Sequence, residues 1–410
     1  MSGWLSTNRE MAMPGMLDGV RVVDLGTVIT GPLAGQMLGD LGADVIKVEP
    51  PGGDPFRRTD GSDYGPTFLA YNRNKRSIIL DLAQDRDRAE LLALVDTSDV
   101  LLDNYRPGVL AKVGLAPDEL KLRNPRLVQC SITGFGDAGP YRRRPAFDGI
   151  AQALSGIASL MIDKEEPLSF GPTISDNVTG MYACHAILAA LVERGRTGLG
   201  RRLEVNMLEA SMAFIPDAYT NAAVSGRSPD RFSRVAVSQS FIFRCADREA
   251  LAIHLSTREK FWQALVEAIG APELAVDIRF AKHLDRVRNY PVVQCELASR
   301  FASRSRARWC EILGTTEVPF APVLSLADAL ADPQVEALGT ATMLNHLERG
   351  AVSSIHCPIL VDGARPLVKM RAPPTPGEHN KEVVGRSPGN IWIDAKIDNG
   401  GDQSVTSEFS

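Results

Sequence analysis

The chain of 410 residues is poor in the side chains that mark several large enzyme classes. Its six cysteines stand far apart, at 130, 184, 245, 295, 310 and 357, so neither a CxxC zinc pair nor a disulfide framework is spelled out, and they read as reduced, mostly buried thiols. The six histidines (His185, His254, His283, His346, His356, His379) include no HExxH-like pair and no partner in a recognisable serine or cysteine nucleophile motif. That removes the main support for metalloenzyme and serine-hydrolase readings. Net positive charge is also lacking: 45 Lys and Arg against 50 Asp and Glu leave −5, which disfavours nucleic acid or an anionic membrane as general partner. The first 16 residues carry Arg9 and Glu10 without a continuous apolar run, so neither a signal peptide nor an anchor is expected and a cytoplasmic location is the default.

What is present is an alternation of short apolar strands and helical stretches. GVRVVDL, DVIKVE, SIILDL, DVLLDN and LVQCSIT read as strands rich in β-branched residues, with helical spacing at Leu33, Met37, Leu38 and Leu41 and again over Ala89 to Val95. Strands apolar along their whole length argue for a parallel sheet covered on both faces. The pattern turns helical from Phe147, returns to a strand in RRLEVN, and breaks at the polar SGRSPDRFSR, residues 225–234. The expected organisation is a tail over 1–16, a large α/β domain over 17–225, a small α+β domain over 226–330, a return to the large domain over 331–394, and a disordered tail over 395–410. VPFAPVLS, 318–325, is expected to pack with the large domain.

Individual motifs remain ambiguous on their own. GFGDAG at 134–139 matches GxGxxG after a strand, yet Pro140 and the run Tyr141 to Pro145 follow where a dinucleotide site needs a helix, so it reads as a glycine loop near a site. GTVITG at 26–31 has phosphate-loop spacing without the Lys-Ser/Thr pair, leaving only weak anion binding at a helix start. Basic residues gather at Arg73, Lys75 and Arg76, at Arg106 and Lys112, and at Arg142 to Arg144. Each reads as a solvated patch, and together they suggest one polyanion at the carboxyl edge of the sheet. In GPTISDNVTG, Asp176 stands where a polar loop meets a long apolar helix; it reads first as the helix N-cap and second as a nucleophile.

Nine strings, in order and at similar separations, resemble one family: among them GPLAGQMLGDLGADVIKVEPPGGDPFR, YNRNKRSIILDL, DNYRPGVLAKVGL, SITGFGDAGPY, SDNVTGMYACHAILAAL and GRRLEVNMLEA. Over residues 17–386 the chain resembles the family III CoA-transferases of the formyl-CoA:oxalate and carnitine type. The resemblance implies an open, mostly parallel Rossmann-like sheet in a large domain built from both chain ends, a smaller inserted α+β domain, and an interlocked homodimer. It implies transfer of CoA from an acyl-CoA to a small carboxylic acid, with coenzyme A as co-substrate, no other cofactor and no metal. Asp176 then falls on the family's catalytic aspartate. CoA contacts fall on Val28, Ile29 and Thr30, on Leu80, Asp81, Leu82 and Ala83, on Asn104, Tyr105 and Arg106, on Lys112, and on Ala146 and Phe147. The glycines Gly134, Gly136 and Gly139 become candidates for oxyanion donors or a lid. Ile29 and Pro50 replace a glutamine and an arginine of the oxalate enzyme, and RVAVSQSF at 234–241 replaces its glycine run, which argues against oxalate and formate as substrates. The same fold carries α-methylacyl-CoA racemases, but where these have a histidine this chain has Phe147, followed by Asp148. A non-catalytic CoA-binding protein is the alternative from another class.

Overall fold

The computed structural model describes residues 15–58, 64–365 and 370–385. The expected tail over 395–410 and residues 1–14 of the expected tail over 1–16 lie outside them. Two compact units are present, one taking in the chain up to 156, 171–214 and from 339 onward, the other 157–170 and 215–338. The polar stretch 225–234 therefore lies inside the second unit and does not mark its edge, because the helix Pro216–Ser225 before it already belongs there.

The first unit is built on six strands: β1 (Arg21–Asp24), β2 (Asp44–Glu49), β3 (Lys75–Ile79), β4 (Val100–Asp103), β5 (Val128–Thr133) and β6 (Arg202–Asn206). They pair in the order β3-β2-β1-β4-β5-β6, parallel throughout. The helices of this unit that matter below are α1 (Thr30–Asp40), α2 (Asp85–Asp96), α3 (Pro117–Arg123), α4 (Asp148–Leu154), α5 (Ile174–Thr197) and α6 (Met207–Phe214). Successive strand residues point to opposite faces. Val22, Val45, Leu102, Cys130 and Ile132 thus share one buried cluster with Ala34 and Leu38 of α1 and Ala183 and Ile187 of α5. Val23, Ile46, Val48 and Leu101 share the other with Leu91 and Val95 of α2 and Leu120 of α3. Burial on both faces is why these strands read as continuous apolar runs.

α5 packs against α1 with its backbone closest at Gly180. A Cβ on Gly180 would stand 2.8 Å from the Thr30 carbonyl oxygen and 3.0 Å from a Leu33 methyl. Alanine there would add helix propensity worth roughly 1 kcal/mol, yet it must push on backbone, an overpacking that costs about 1–3 kcal/mol. We expect Gly180→Ala to lower unfolding stability by up to about 2 kcal/mol, read by urea denaturation, with turnover falling because both helices carry the site.

The C-terminal segment meets the open edge of the sheet. Asn380 of the C-terminal segment accepts from the Ile79 amide at 2.8 Å and donates to the Ile79 carbonyl at 3.0 Å, and the His379 amide donates to the Ser77 carbonyl. This occupies part of the otherwise unpaired rim of β3.

The second unit holds β7 (Ser240–Arg244), β8 (Ala250–His254) and β9 (Phe320–Pro322) in one antiparallel sheet. Expected in the large domain, VPFAPVLS instead supplies β9, pairing Ile253 with Phe320 and Leu251 with Pro322. Its core gathers Phe241, Phe243, Trp262, Phe280, Phe301 and Trp309. Among the described residues no helix is long and apolar enough to cross a membrane.

Candidate active site

The strand order reverses direction between β1 and β4, and a crevice at the carboxyl ends of those strands is where open α/β sheets take ligands. Two loops leave the sheet there, Gly26 to Ile29 after β1 and Asn104 to Pro107 after β4. Asn104 joins them: its Oδ1 accepts from the Thr27 amide at 2.9 Å, and its Nδ2 donates to the Thr27 carbonyl at 2.7 Å and the Thr30 hydroxyl at 3.1 Å. A Cβ on Gly26 would lie 2.8 Å from Gly31 Cα, so the turn closes only with glycine at both places. Val28 sits between them at φ 67°, a left-handed conformation that for a β-branched side chain costs about 1–3 kcal/mol.

A cavity of about 280 Å³ opens at this point. It is lined by Thr27 to Thr30, Asn104 to Pro107, Ile132 to Gly134, Ala146, Phe147 and Asp176, and also by Pro55, Phe56, Arg142, Arg144, Pro145 and Met207. An adjoining hollow of about 460 Å³ is lined by Arg106, Lys112, Arg142 and Arg143 with the turn Pro107 to Val109. Arg106 and Arg142 belong to both, so a ligand with an anionic end in the second would extend its other end toward Asp176. Of the residues to which the resemblance assigned CoA contacts, Leu80, Asp81, Leu82 and Ala83 line neither cavity. Leu80 is buried in the sheet core, and the Asp81 amide donates to Asp87. Gly134 lines the cavity, whereas Gly136 and Gly139 do not, and the Gly136 amide donates to the Thr133 hydroxyl at 2.9 Å. That amide is therefore not available as an oxyanion donor.

Asp176 is 8% exposed and is the third residue of α5. It is not the N-cap. Thr173 holds that position, and the Asp176 amide donates to Asp148 Oδ1 at 3.2 Å. Asp148, in the first turn of α4, also accepts from Gln152. None of the described residues donates a hydrogen bond to the Asp176 carboxylate. Burial, and then the negative charge of Asp148, push it up to about 7 from an ordinary value near 3.8. A helix N-terminus favours the anion by only about 0.3–1 kcal/mol, less than the roughly 1.4 kcal/mol that each such unit represents, so desolvation wins over the dipole. In the sequence Asp148 stood only as the acid after Phe147, and Pro55, Phe56 and Met207 lay in matched strings without an assigned role.

The first basic group, expected beside a polyanion, is instead internal. Lys75 is buried against Asp24 at 2.8 Å, Arg73 pairs with Asp40 at 2.6 Å, and Arg76 bridges Asp44 and Glu382. Burial draws Lys75 down to about 8 despite Asp24. Lys47, which burial alone would also lower, is held above its usual value by Asp54, Asp24 and Glu49. Among the described residues no cluster of three or more His, Cys, Asp or Glu side chains could hold a metal ion.

The profile of CoA-transferase family III matches residues 17–380. An acetyl-CoA:oxalate CoA-transferase from Acetobacter aceti is 36% identical over 79% of this chain and 84% of its own. A succinate–glutarate CoA-transferase from Agrobacterium fabrum is 33% identical over 90% and 94%. The crystal structure of a CAIB/BAIF family protein from Brucella suis superposes with a TM-score of 0.81 at 33% identity, covering 91% of this chain and 99% of that one. The chain belongs to the family III CoA-transferases.

Proposed function

We propose that this enzyme moves CoA from an acyl-CoA to a short carboxylic acid through covalent intermediates on Asp176. One observation carries the reading: a buried carboxylate with no hydrogen-bond donor among the described residues lines a cavity at the switch point of the sheet. A carboxylate held without partners keeps its lone pairs for attack. Asp176 adds to the thioester carbonyl, the C–S bond breaks, and a mixed anhydride forms as CoA thiolate leaves. The thiolate then attacks the aspartyl carbonyl, releasing the donor acid and leaving an aspartyl-CoA thioester. The acceptor carboxylate attacks that thioester, a second anhydride forms, and CoA thiolate takes its acyl group, freeing Asp176. Every step exchanges one acyl bond for another, so no redox partner enters.

In this reading the CoA phosphates take the cationic hollow of Arg106, Lys112, Arg142 and Arg143 and the thiol end reaches into the cavity of Asp176. The relatives named for oxalate and glutarate act on acids with two carboxylates, and Arg144 lines the cavity beside Asp176. A short dicarboxylic acid is therefore our choice of acceptor class. Phe147, Ile150 and Leu154 at α4 and Met181 on α5 are exposed apolar side chains that suit a homodimer. The test is mass spectrometry of the Asp176 peptide after incubation with short acyl-CoAs. A mass increase corresponding to CoA or acyl attachment on Asp176 is expected; transfer that proceeds with no adduct, and none after hydroxylamine trapping, would remove the covalent route.

A further inference from the structure

Beneath the loop that follows β1 lies a group of fully buried charges that lines neither cavity described above. Lys47 Nζ donates to the Gly26 carbonyl at 2.7 Å and pairs with Asp54 at 2.9 Å. Asp24 accepts the Gly26 amide at 2.8 Å on one oxygen and Lys75 Nζ at 2.8 Å on the other. Lys75 spends its remaining two protons on the Pro32 carbonyl at 2.8 Å and Asn72 Oδ1 at 2.9 Å. Buried ion pairs are weak sources of net stability, since desolvation offsets most of their attraction. Here they provide direction. Both lysines aim at main-chain carbonyls, Gly26 and Pro32, that flank the strained Val28. The amides of Val28 and Ile29, two cavity residues, meet no acceptor among the described residues.

We propose that Lys47 and Lys75 are positioning residues for CoA transfer: their ammonium groups clamp the backbone from Gly26 to Pro32 so that Val28 stays left-handed and forms the cavity wall beside Asp176. The clamp's use in catalysis rests on the function proposed above; the clamp itself does not. Strain at a non-glycine residue persists only where the surroundings over-determine it, and this loop is held from below by two lysines and from the side by Asn104.

The obvious variant, Lys47→Met, strands the Asp54 carboxylate, so the informative one is Lys47→Met/Asp54→Asn, which removes both charges and keeps an oxygen for the Phe56 amide. In the folded double variant, amide hydrogen exchange across residues 26–32 should rise at least about 10-fold, and KM for acyl-CoA should rise about 10-fold or more. Adding Val28→Gly, which takes the left-handed conformation without strain, should return KM to within about 3-fold of the Val28→Gly enzyme with the lysine intact. A general loss of stability would predict simple addition of the two effects instead. Unchanged exchange in a folded double variant, or additive KM effects, overturns the proposal. If the wild-type enzyme transfers no CoA, the functional reading fails while the exchange measurement still decides whether Lys47 holds the loop.

Discussion

Asp176→Asn should lower CoA transfer by at least about 10³-fold and, at pH 8, raise thermal stability. The first effect follows from chemistry: an amide has no anionic oxygen to open the thioester, and loss of a nucleophile leaves only what binding and the surrounding dipoles contribute. The second follows from proton linkage. In the folded enzyme Asp176 titrates near 7, against about 3.8 in an unstructured chain. Between those values the folded state binds more protons, so stability falls as pH rises through the window and stays low above it. The penalty at pH 8 has an upper bound of about 4 kcal/mol by the usual conversion, reduced by whatever relaxation the site allows. Asparagine, neutral at every pH, escapes it, so the gain should vanish on titrating toward pH 4. For the wild type, kcat/KM should climb with pH through about 7 as the free enzyme's carboxylate ionises. Calorimetry and turnover measured on one protein preparation check both halves. Retained turnover would eliminate Asp176 as nucleophile, and a lower melting temperature at pH 8 would contradict the dominance of burial and Asp148.

That pairing of lost activity with gained stability was not legible in the sequence, where Asp176 at a loop-to-helix junction pointed to a capped, ionised carboxylate. The spacing located the residue and the resemblance gave its role, but its environment depends on α4. The Asp148 side chain arrives from 28 residues upstream to accept from the Asp176 amide itself, a first-turn N–H. The fold was more legible. Runs such as DVIKVE and DVLLDN bury apolar side chains on both alternating faces, which is a direct consequence of helices on both sides of a parallel sheet. Strand order was not readable, because it is set by which crossovers pack, and neither was the return of residues 320–322 to the second unit, where three residues carry too little pattern to choose a partner. Charge misled most. Arg73, Lys75 and Arg76 look in one dimension like a basic surface loop, yet Arg73 and Lys75 end in buried pairs, since a sequence cannot show that Asp40 and Asp24 lie within 3 Å of them. The same limit hid the lysine clamp under Val28, although Lys47 inside the run DVIKVE was a visible departure from the apolar pattern.

Another fully buried pair, Arg57 with Glu49, gives the largest expected stability effect. Arg57→Met should destabilise the protein by about 3–5 kcal/mol at pH 7, the usual consequence of leaving one partner of a buried pair behind. Arg57 is fully buried, grips Glu49 through Nε at 2.6 Å and Nη2 at 2.7 Å, donates to the Pro374 carbonyl at 3.1 Å, and lies 3.6 Å above the Phe68 ring. Burial alone would push the Glu49 carboxyl up; the Arg57 charge and hydrogen bonds reverse this and hold it at about 2, below its ordinary 4.5. In the wild type this contribution is complete above pH 4.5 and is lost as pH falls toward 2. Without the guanidinium the sign inverts. Glu49 would take up a proton on folding, and stability would then fall as pH rises above 4.5. The gap between variant and wild type should accordingly be several-fold smaller at pH 4 than at pH 7 in urea unfolding, and Arg57→Met/Glu49→Gln should recover most of it. A gap equal at both pH values would assign the loss to lost packing on Phe68 rather than to charge. Activity should fall along with stability for a local reason. Pro55 and Phe56, the two residues before Arg57, line the cavity of Asp176, so the side chain that ties the C-terminal segment to the sheet also fixes one wall of the site.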